Sequence, residues 1–350
     1  MENTWRSAIL PPDKAAMAAA KAKWDAIAKP IGSLGLFEDA VVQIAGLTGS
    51  AEVRLPKRAV LVMCADNGVV AEGVSQSGQD VTALVAGNMA EGKSSVCRMA
   101  AAVHAEVFPV DIGMAQAVPG VRDRHIARGT GNIAVGPAMR REEAARAVQV
   151  GIDMVGELKA QGYSIIATGE MGIGNTTTAS AMLAAFLGAE PSAVTGRGAG
   201  LSDEGLKRKI SAIRRAIAVN KPDPTDGLDV LCKLGGFDIA GMCGTFLGGA
   251  IHRVPILIDG FISAVAALAA VRICPESRQA MLAAHVSAEP AARMPLEALD
   301  AKPLITAGLR LGEGTGAVAA LPLLDLALSV YDEMVTFDGI GLEAYKPFGT

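Results

Sequence analysis

Apolar positions along the chain fall into short β-branched runs, each closed by a glycine or an acid and followed by an alanine-rich stretch with apolar residues three and four apart. The runs predict strands at about 58–65 (RAVLVMCA), 105–112 (AEVFPVDI), 164–168, 254–259 (VPILID) and 281–286 (MLAAHV). Strands that alternate with helices build βαβ units, and unbroken apolar runs mark strands covered on both faces, so a parallel sheet flanked by helices is expected. In such α/β folds ligands bind beyond the carboxyl ends of the strands. That rule singles out Asp66, Asp111, Glu170, Asp259 and Ser287, each placed just after a predicted strand. The first fifty residues and the last forty show helical spacing without strands, as in DKAAMAAAKAKWDAIA and GAVAALPLLDLALSVYDEMV. Two domains are expected: a large α/β domain over about 50–290, and a small mainly helical one from about 1–50 plus 291–350. A polar, proline-marked connection, NKPDPTDGLD, interrupts the pattern at 220–229.

With 350 residues, 51% of them hydrophobic, the chain can bury a large core. A net charge of −4 without a long basic run excludes the footprint of a nucleic-acid binder, and 4% aromatics leave little for base stacking. Five cysteines, odd in number and never in CxxC spacing, are expected to be reduced core residues of a cytoplasmic protein. The N-terminus mixes acid and base ahead of any apolar stretch, so neither a signal nor a transit segment is expected. Apolar runs such as SAVAALAAV at 263–271 fall short of the roughly 20 residues that span a bilayer.

Candidate chemistry concentrates in glycine-rich loops. Residues 165–178 read IIATGEMGIGNTTT: a β-branched run, three glycines from Gly169 on, then a polar string leading into helix. A helix N-terminus carries unpaired N–H groups and about half a positive charge, so it binds phosphate without a particular side chain. No lysine follows the last glycine, which points away from a nucleoside triphosphate and toward a simpler phosphate. Taken singly, the loop is also compatible with an ordinary βα turn. A second glycine loop, TGRGAGLSDEGLKRK (195–209), again enters a helix, with Ser202 as N-cap and Lys207, Arg208 and Lys209 one turn on. In RLGEGTGAV, Glu313 stands between Gly312 and Gly314, where a ligand can approach closely and restricted hydration raises a carboxylate toward a general base. Gly87–Ser94 matches the Walker A pattern through Lys93, yet Val81, Leu84, Val85 and Met89 upstream recur at helical spacing, not as a strand. The histidines His104, His125, His252 and His285 show no metal spacing, and no metal site is expected.

Taken in order, KPIGSLGLFE, ADNGVVAEGVS, TGEMGIGNTTTAS, GRGAGLSDEGLKRK, LGGFDIAGMCG, PILIDGFISAVAAL, SAEP and RLGEGTGAVAALPLLDLA resemble the nicotinate-nucleotide–dimethylbenzimidazole phosphoribosyltransferase family. The resemblance covers nearly the whole chain. It implies a Rossmann-like parallel-sheet domain, a small helical domain from both termini, and a dimer. It also implies transfer of a 5-phosphoribosyl group from nicotinate mononucleotide to a cobamide lower-ligand base, giving nicotinate and an α-riboside 5′-phosphate without any cofactor. By the same resemblance Gly172, Asn175, Gly198 and Lys209 belong to the 5′-phosphate site, and Gly260 and Ser287 to further donor contacts. Leu311 and Gly312 line the base side, Glu313 is the general base and Glu170 its helper.

One segment departs from the family pattern. Asp66-Asn67-Gly68 stands where Asp-His-Gly is usual, and Ser75–Gly78 replaces an aromatic-proline step before Gln79, a base-side position. The departure leaves the acceptor open among benzimidazoles, phenols such as p-cresol, and purines such as adenine, in a homodimer or a heterodimer with a paralogue. A P-loop-type ATPase and a non-catalytic subunit are the rival classes; neither nucleic acid nor membrane is expected as a partner.

Overall fold

A computed structural model describes residues 2–345. Six parallel strands form one sheet: β1 (Arg58–Ala65), β2 (Ala105–Gly113), β3 (Arg122–Asp123), β4 (Ile165–Met171), β5 (Ile256–Ile258) and β6 (Met281–Ala283). Their order is β3-β2-β1-β4-β5-β6, so the direction of winding reverses between β1 and β4. A crevice opens at such a reversal, beyond the carboxyl ends of the two central strands, and ligands bind there.

Strand pleating sends successive side chains to opposite faces, and β1 obeys it residue by residue. Ala59, Leu61, Met63 and Ala65 enter the core on one face. Val60, Val62 and Cys64 enter the core on the other. The first face is covered by the Arg141–Ala160, Phe237–His252 and Phe261–Ile273 helices. On the second lie the Leu36–Thr48, Ser95–Ala102 and Thr315–Glu333 helices. Both termini meet there: Trp24 packs on Tyr331 with ring centroids 4.8 Å apart, and Ile27 bridges antiparallel to Thr336.

Four sequence expectations change, the first being that β6 ends at Ala283 and does not reach 286. β4 does not stop before Gly169; it runs on to Met171, with Val62 opposite Gly169 and Met63 opposite Glu170 in register. Gly169 is required by a neighbour and not by a turn, because a Cβ there would fall 2.5 Å from the Glu313 carbonyl oxygen. The edge strand β3 was missed, being two residues inside the polar run VRDRH. The Thr315–Glu333 helix, against the expectation that every apolar stretch is too short, is long and apolar enough to cross a membrane. Half of its apolar window is buried against the sheet, and Arg58 Nη1 donates to its Asp325 Oδ2 at 2.9 Å. It forms a layer of this core.

The tightest helix pair crosses at glycines. A Cβ on Gly244 would lie 1.9 Å from the Val148 carbonyl oxygen, and one on Gly151 would lie 2.1 Å from that of Gly241. Gly244→Ala is therefore expected to destabilise the protein by about 3 kcal/mol, the upper end of ordinary overpacking. Thermal or urea unfolding reads the change, and an unaltered midpoint would refute this account of the packing.

Candidate active site

A cavity of about 300 Å³ sits over the carboxyl ends of β4, β5 and β6. β4 delivers Glu170, and the loop that follows delivers Gly172, Asn175 and Thr176 at the N-terminus of the Asn175–Leu187 helix. Gly198 closes one side; Asp259 and Gly260 arrive from β5, and His285 and Ser287 from β6. The loop before the last long helix closes the other side with Arg310, Leu311, Gly312 and Glu313.

Glu313 is held by an uncommon backbone. Gly312, Glu313 and Gly314 have φ of +87°, +61° and +93°. Two glycines take the left-handed region freely, whereas a glutamate does so only under constraint, and such strain gathers at functional sites. The turn throws the Glu313 carboxylate toward the N-terminus of the Ser95–Ala102 helix, where the Val96 N–H donates to Oε2 at 3.3 Å. Burial pushes the Glu313 carboxyl above its ordinary range, the Val96 bond opposes this, and the charge of Asp259 adds to the rise.

Glu170 lies beside it, close enough that a Cβ on Gly312 would fall 2.5 Å from Glu170 Oε1. Burial first, and the nearby charge of Asp238 next, raise the Glu170 carboxyl well above the usual range. The Asn175 amide bridges the two acids, donating to Glu170 Oε2 and, at 3.0 Å, to Asp238 Oδ2. Asp238 is itself raised to about 6 by burial. Environments that push neighbouring carboxyls apart in pKa assign their roles. Both carboxyls are raised, Glu170 further than Glu313.

Lys209 stands behind the cradle, 1% exposed, its Nζ donating to Thr176 Oγ1 at 2.8 Å and to the Gly196 carbonyl at 3.1 Å. A Cβ on Gly198 would come 3.5 Å from that Nζ. Burial lowers the Lys209 ammonium to about 8, with Glu289 opposing. A lone buried ammonium behind a helix N-terminus suits an anion in the space between.

The cavity thus gathers Glu170, Gly172, Asn175, Gly198, Gly260, Ser287, Leu311, Gly312 and Glu313, with Lys209 outside its lining, bonded to the lining residue Thr176. Gln79 stands elsewhere. Its amide donates to the Asn67 carbonyl at 3.2 Å, and it lines a separate cavity of about 400 Å³ with Asp66 and Arg128. Ser75 and Gln76 line a small adjoining cavity that shares Gly172, Asn175, Thr176 and Gly198 with the first. Of the strand-end acids, Asp111 also lies apart, 3.4 Å from Arg128.

Sequence reading passed over Val85, Thr176, His285 and Arg310 in the cavity wall. His285 sits two residues before Ser287 at a strand end, so the rule that found Ser287 could have found it; a search for metal spacing hid it. Among the described residues, Asp111, Asp123 and His125 bring ligand atoms within 4.8 Å of one another, a grouping that spacing did not reveal. Arg128 already occupies Asp111 and Asp123 pairs with His125 at 2.6 Å, so the group is satisfied without an ion.

The Walker-like stretch is helix and turn. Gly87 lies inside the Asp80–Ala90 helix, Ser94 caps the next helix, and Lys93 is exposed and paired with Glu91. That geometry cradles no triphosphate.

Comparison with known proteins gives a consistent picture. A family model described as a phosphoribosyltransferase matches residues 9–341. The nicotinate-nucleotide–dimethylbenzimidazole phosphoribosyltransferase of Ruminiclostridium cellulolyticum is 46% identical over 333 residues, covering 95% of each chain. The enzyme of the same name from Acetivibrio thermocellus is 48% identical over 325 residues, covering 92% of this chain and 93% of its own. The crystal structure of CobT from Thermus thermophilus superposes with a TM-score of 0.89 at 39% identity, over 95% of this chain and 100% of that one.

Proposed function

Because the chain belongs to the nicotinate-nucleotide–dimethylbenzimidazole phosphoribosyltransferase family, we propose that it moves the 5-phosphoribosyl group of nicotinate mononucleotide onto 5,6-dimethylbenzimidazole. The observation that carries this reading is the pairing, across one cavity, of a lysine-backed phosphate cradle with a strained glutamate. The 5′-phosphate lies against Gly172, Gly198 and the N-terminus of the Asn175–Leu187 helix, with the Lys209 charge behind it. Gly260 and Ser287 contact the donor, and Leu311 and Gly312 border the acceptor.

In the reaction the bond between ribose C1′ and the pyridinium nitrogen breaks, and its electron pair returns to nicotinate. A bond forms from the acceptor nitrogen to C1′ on the opposite face. Glu313 takes the proton that the acceptor sheds. Positive charge passes from the pyridinium to C1′ during bond breaking, and a wall of carboxyl groups suits it electrostatically. Asn175 serves by holding Glu170 rather than by reaching phosphate, since both of its amide donations are spent on carboxylates.

The segment Ser75–Gln79 borders neighbouring cavities, so it gives no ground for a phenol or purine acceptor. We expect dimethylbenzimidazole to be preferred in competition with equal concentrations of p-cresol and adenine. Nicotinate release with an α-riboside phosphate of the matching mass tests the activity. A purified chain that yields neither would overturn the proposal.

The division into a large unit of about 50–290 and a small one from both termini belongs to the same proposal, supported by the Trp24–Tyr331 contact. So does assembly as a cytoplasmic dimer. Leu326, Met334, Val335, Ile340 and Leu342 crowd the last long helix and its tail with exposed apolar surface, and all five cysteines are buried and free.

A further inference from the structure

Two buried side chains meet on the turn of helix that follows Glu313. Asp259, at the end of β5, is 3% exposed; its Oδ1 accepts the Ala317 N–H at 2.9 Å, and His285 Nε2 lies 3.5 Å from the same oxygen. The Asp259 N–H in turn donates to Ser263 Oγ at 3.2 Å, and Ser263 Oγ lies 2.7 Å from Thr168 Oγ1 on β4. His285 is 4% exposed and lies against Gly316, where an added Cβ would fall 1.9 Å from its Cδ2. Gly316 and Ala317 are three and four residues beyond Glu313, in the first turn of the Thr315–Glu333 helix.

We propose that Asp259 and His285 are positioning residues that clamp this first helical turn to the ends of β5 and β6 and so hold the Glu313 carboxylate over the cavity. The sequence supplies the reason a clamp is needed. Gly312 and Gly314 leave the turn free to relax, and Glu313 itself sits at φ +61°, a conformation that only surrounding contacts maintain. Neither glycine can supply those contacts. Asp259 does so through the backbone, and His285 by filling the space that Gly316 leaves open.

The catalytic part of this inference rests on Glu313 being the base. The charged and titratable groups that line the cavity with Glu313 are Glu170 from β4, Asp259 from β5, His285 from β6, Glu289 beyond it and Arg310 on its own loop, while the Ser95–Ala102 helix presents the Val96 N–H. Asp259 adds to the rise of the Glu313 carboxyl, so the clamp also helps to keep the base basic.

Asp259→Asn and Asp259→Ala separate the two effects, because asparagine still accepts the Ala317 N–H but carries no charge. Asp259→Ala is expected to lose roughly 10²-fold in kcat, the penalty for a displaced catalytic group, with KM for nicotinate mononucleotide within a few-fold of the parent. Amide exchange over residues 315–318 is expected to accelerate in the same variant. Asp259→Asn should keep kcat within about tenfold and shift the acidic limb of kcat/KM to lower pH, because the charge that helps raise Glu313 is gone. His285→Gln, which removes the ring, should share the faster exchange and supports or sinks the clamp if Asp259→Ala does not fold. Parent-like exchange in these variants, or equal kcat losses for alanine and asparagine, would overturn it. An acidic limb that persists unchanged in Glu313→Gln would instead dismiss Glu313 as the base, while the exchange data still decide the clamp.

Discussion

Glu313→Gln lowers turnover by roughly 10²- to 10⁴-fold, the range that a positioned general base contributes. Glutamine keeps the size of the side chain and can still accept the Val96 N–H, so the turn stays in place while the proton acceptor is lost. KM for nicotinate mononucleotide is expected to change little, since the donor phosphate is held across the cavity. In the parent enzyme the base works once its carboxyl is ionised. Burial raises that carboxyl, and the acidic limb of kcat/KM therefore lies above the ordinary glutamate range of about 4.3. Residual activity is expected to come from Glu170, whose carboxyl burial and the charge of Asp238 raise well above the usual range. The Glu313→Gln/Glu170→Gln double variant should fall below either single one. Turnover within a few-fold of the parent in Glu313→Gln would remove the residue from the proposed chemistry, and an equally active double variant would remove both.

The sheet was legible because its strands are apolar on both faces. An unbroken run such as RAVLVMCA has few ways to be buried other than as the central strand of a helix-covered sheet. β3 was not legible, because a two-residue edge strand needs no apolar run and its exposed side chains leave no pattern. β6 was overread for a related reason. Residues 284–288 do pair, but with the segment at 305–309, as when the Val286 N–H donates to the Ile305 carbonyl at 3.0 Å. Apolar burial is shared by both kinds of pairing, so the run MLAAHV does not reveal where the strand ends.

The candidate site was legible where glycine spacing recorded it. Gly312 and Gly314 flank Glu313 in the sequence because the backbone there must be left-handed, and Gly198 likewise sits at φ +53°. Contacts between distant segments leave no such mark. Nothing local to Asp259 indicates that it accepts a hydrogen bond from Ala317, nor does the run GNTTT show that the Asn175 amide turns to Asp238. Gln79 is a different case: the family pattern places it with the acceptor, and its position outside the main cavity, with its amide donating to the Asn67 carbonyl, is set by the fold and not by any local spacing.

Lys209 is expected to strengthen donor binding at the expense of stability, and the two effects can be measured on one variant, Lys209→Met. Without donor, the buried ammonium has only a hydroxyl and a carbonyl as partners. Its pKa of about 8 lies below the unfolded value of 10.5, so the folded state disfavours the proton. Below pH 8 both states carry the charge and the destabilisation is complete, amounting to about 3 kcal/mol from the shift alone. Between about 8 and 10.5 the unfolded chain binds more protons, and stability rises with pH until the charge is gone from both states. Methionine keeps the apolar stem and removes the charge, so the donor-free variant should melt higher than the parent at pH 7 and lose that advantage near pH 10. Binding moves the other way. A charge-assisted bond to phosphate contributes about 1.5–3 kcal/mol, which places the rise in KM for nicotinate mononucleotide at roughly 10- to 150-fold. Donor affinity of the parent should also weaken as pH climbs through about 8, a limb the variant lacks. Lys93→Ala serves as the control, because that lysine is exposed beside Glu91 and should alter neither quantity. An unchanged donor KM in Lys209→Met would separate Lys209 from the phosphate, and a lower melting point at pH 7 would show that its two hydrogen bonds outweigh the buried charge.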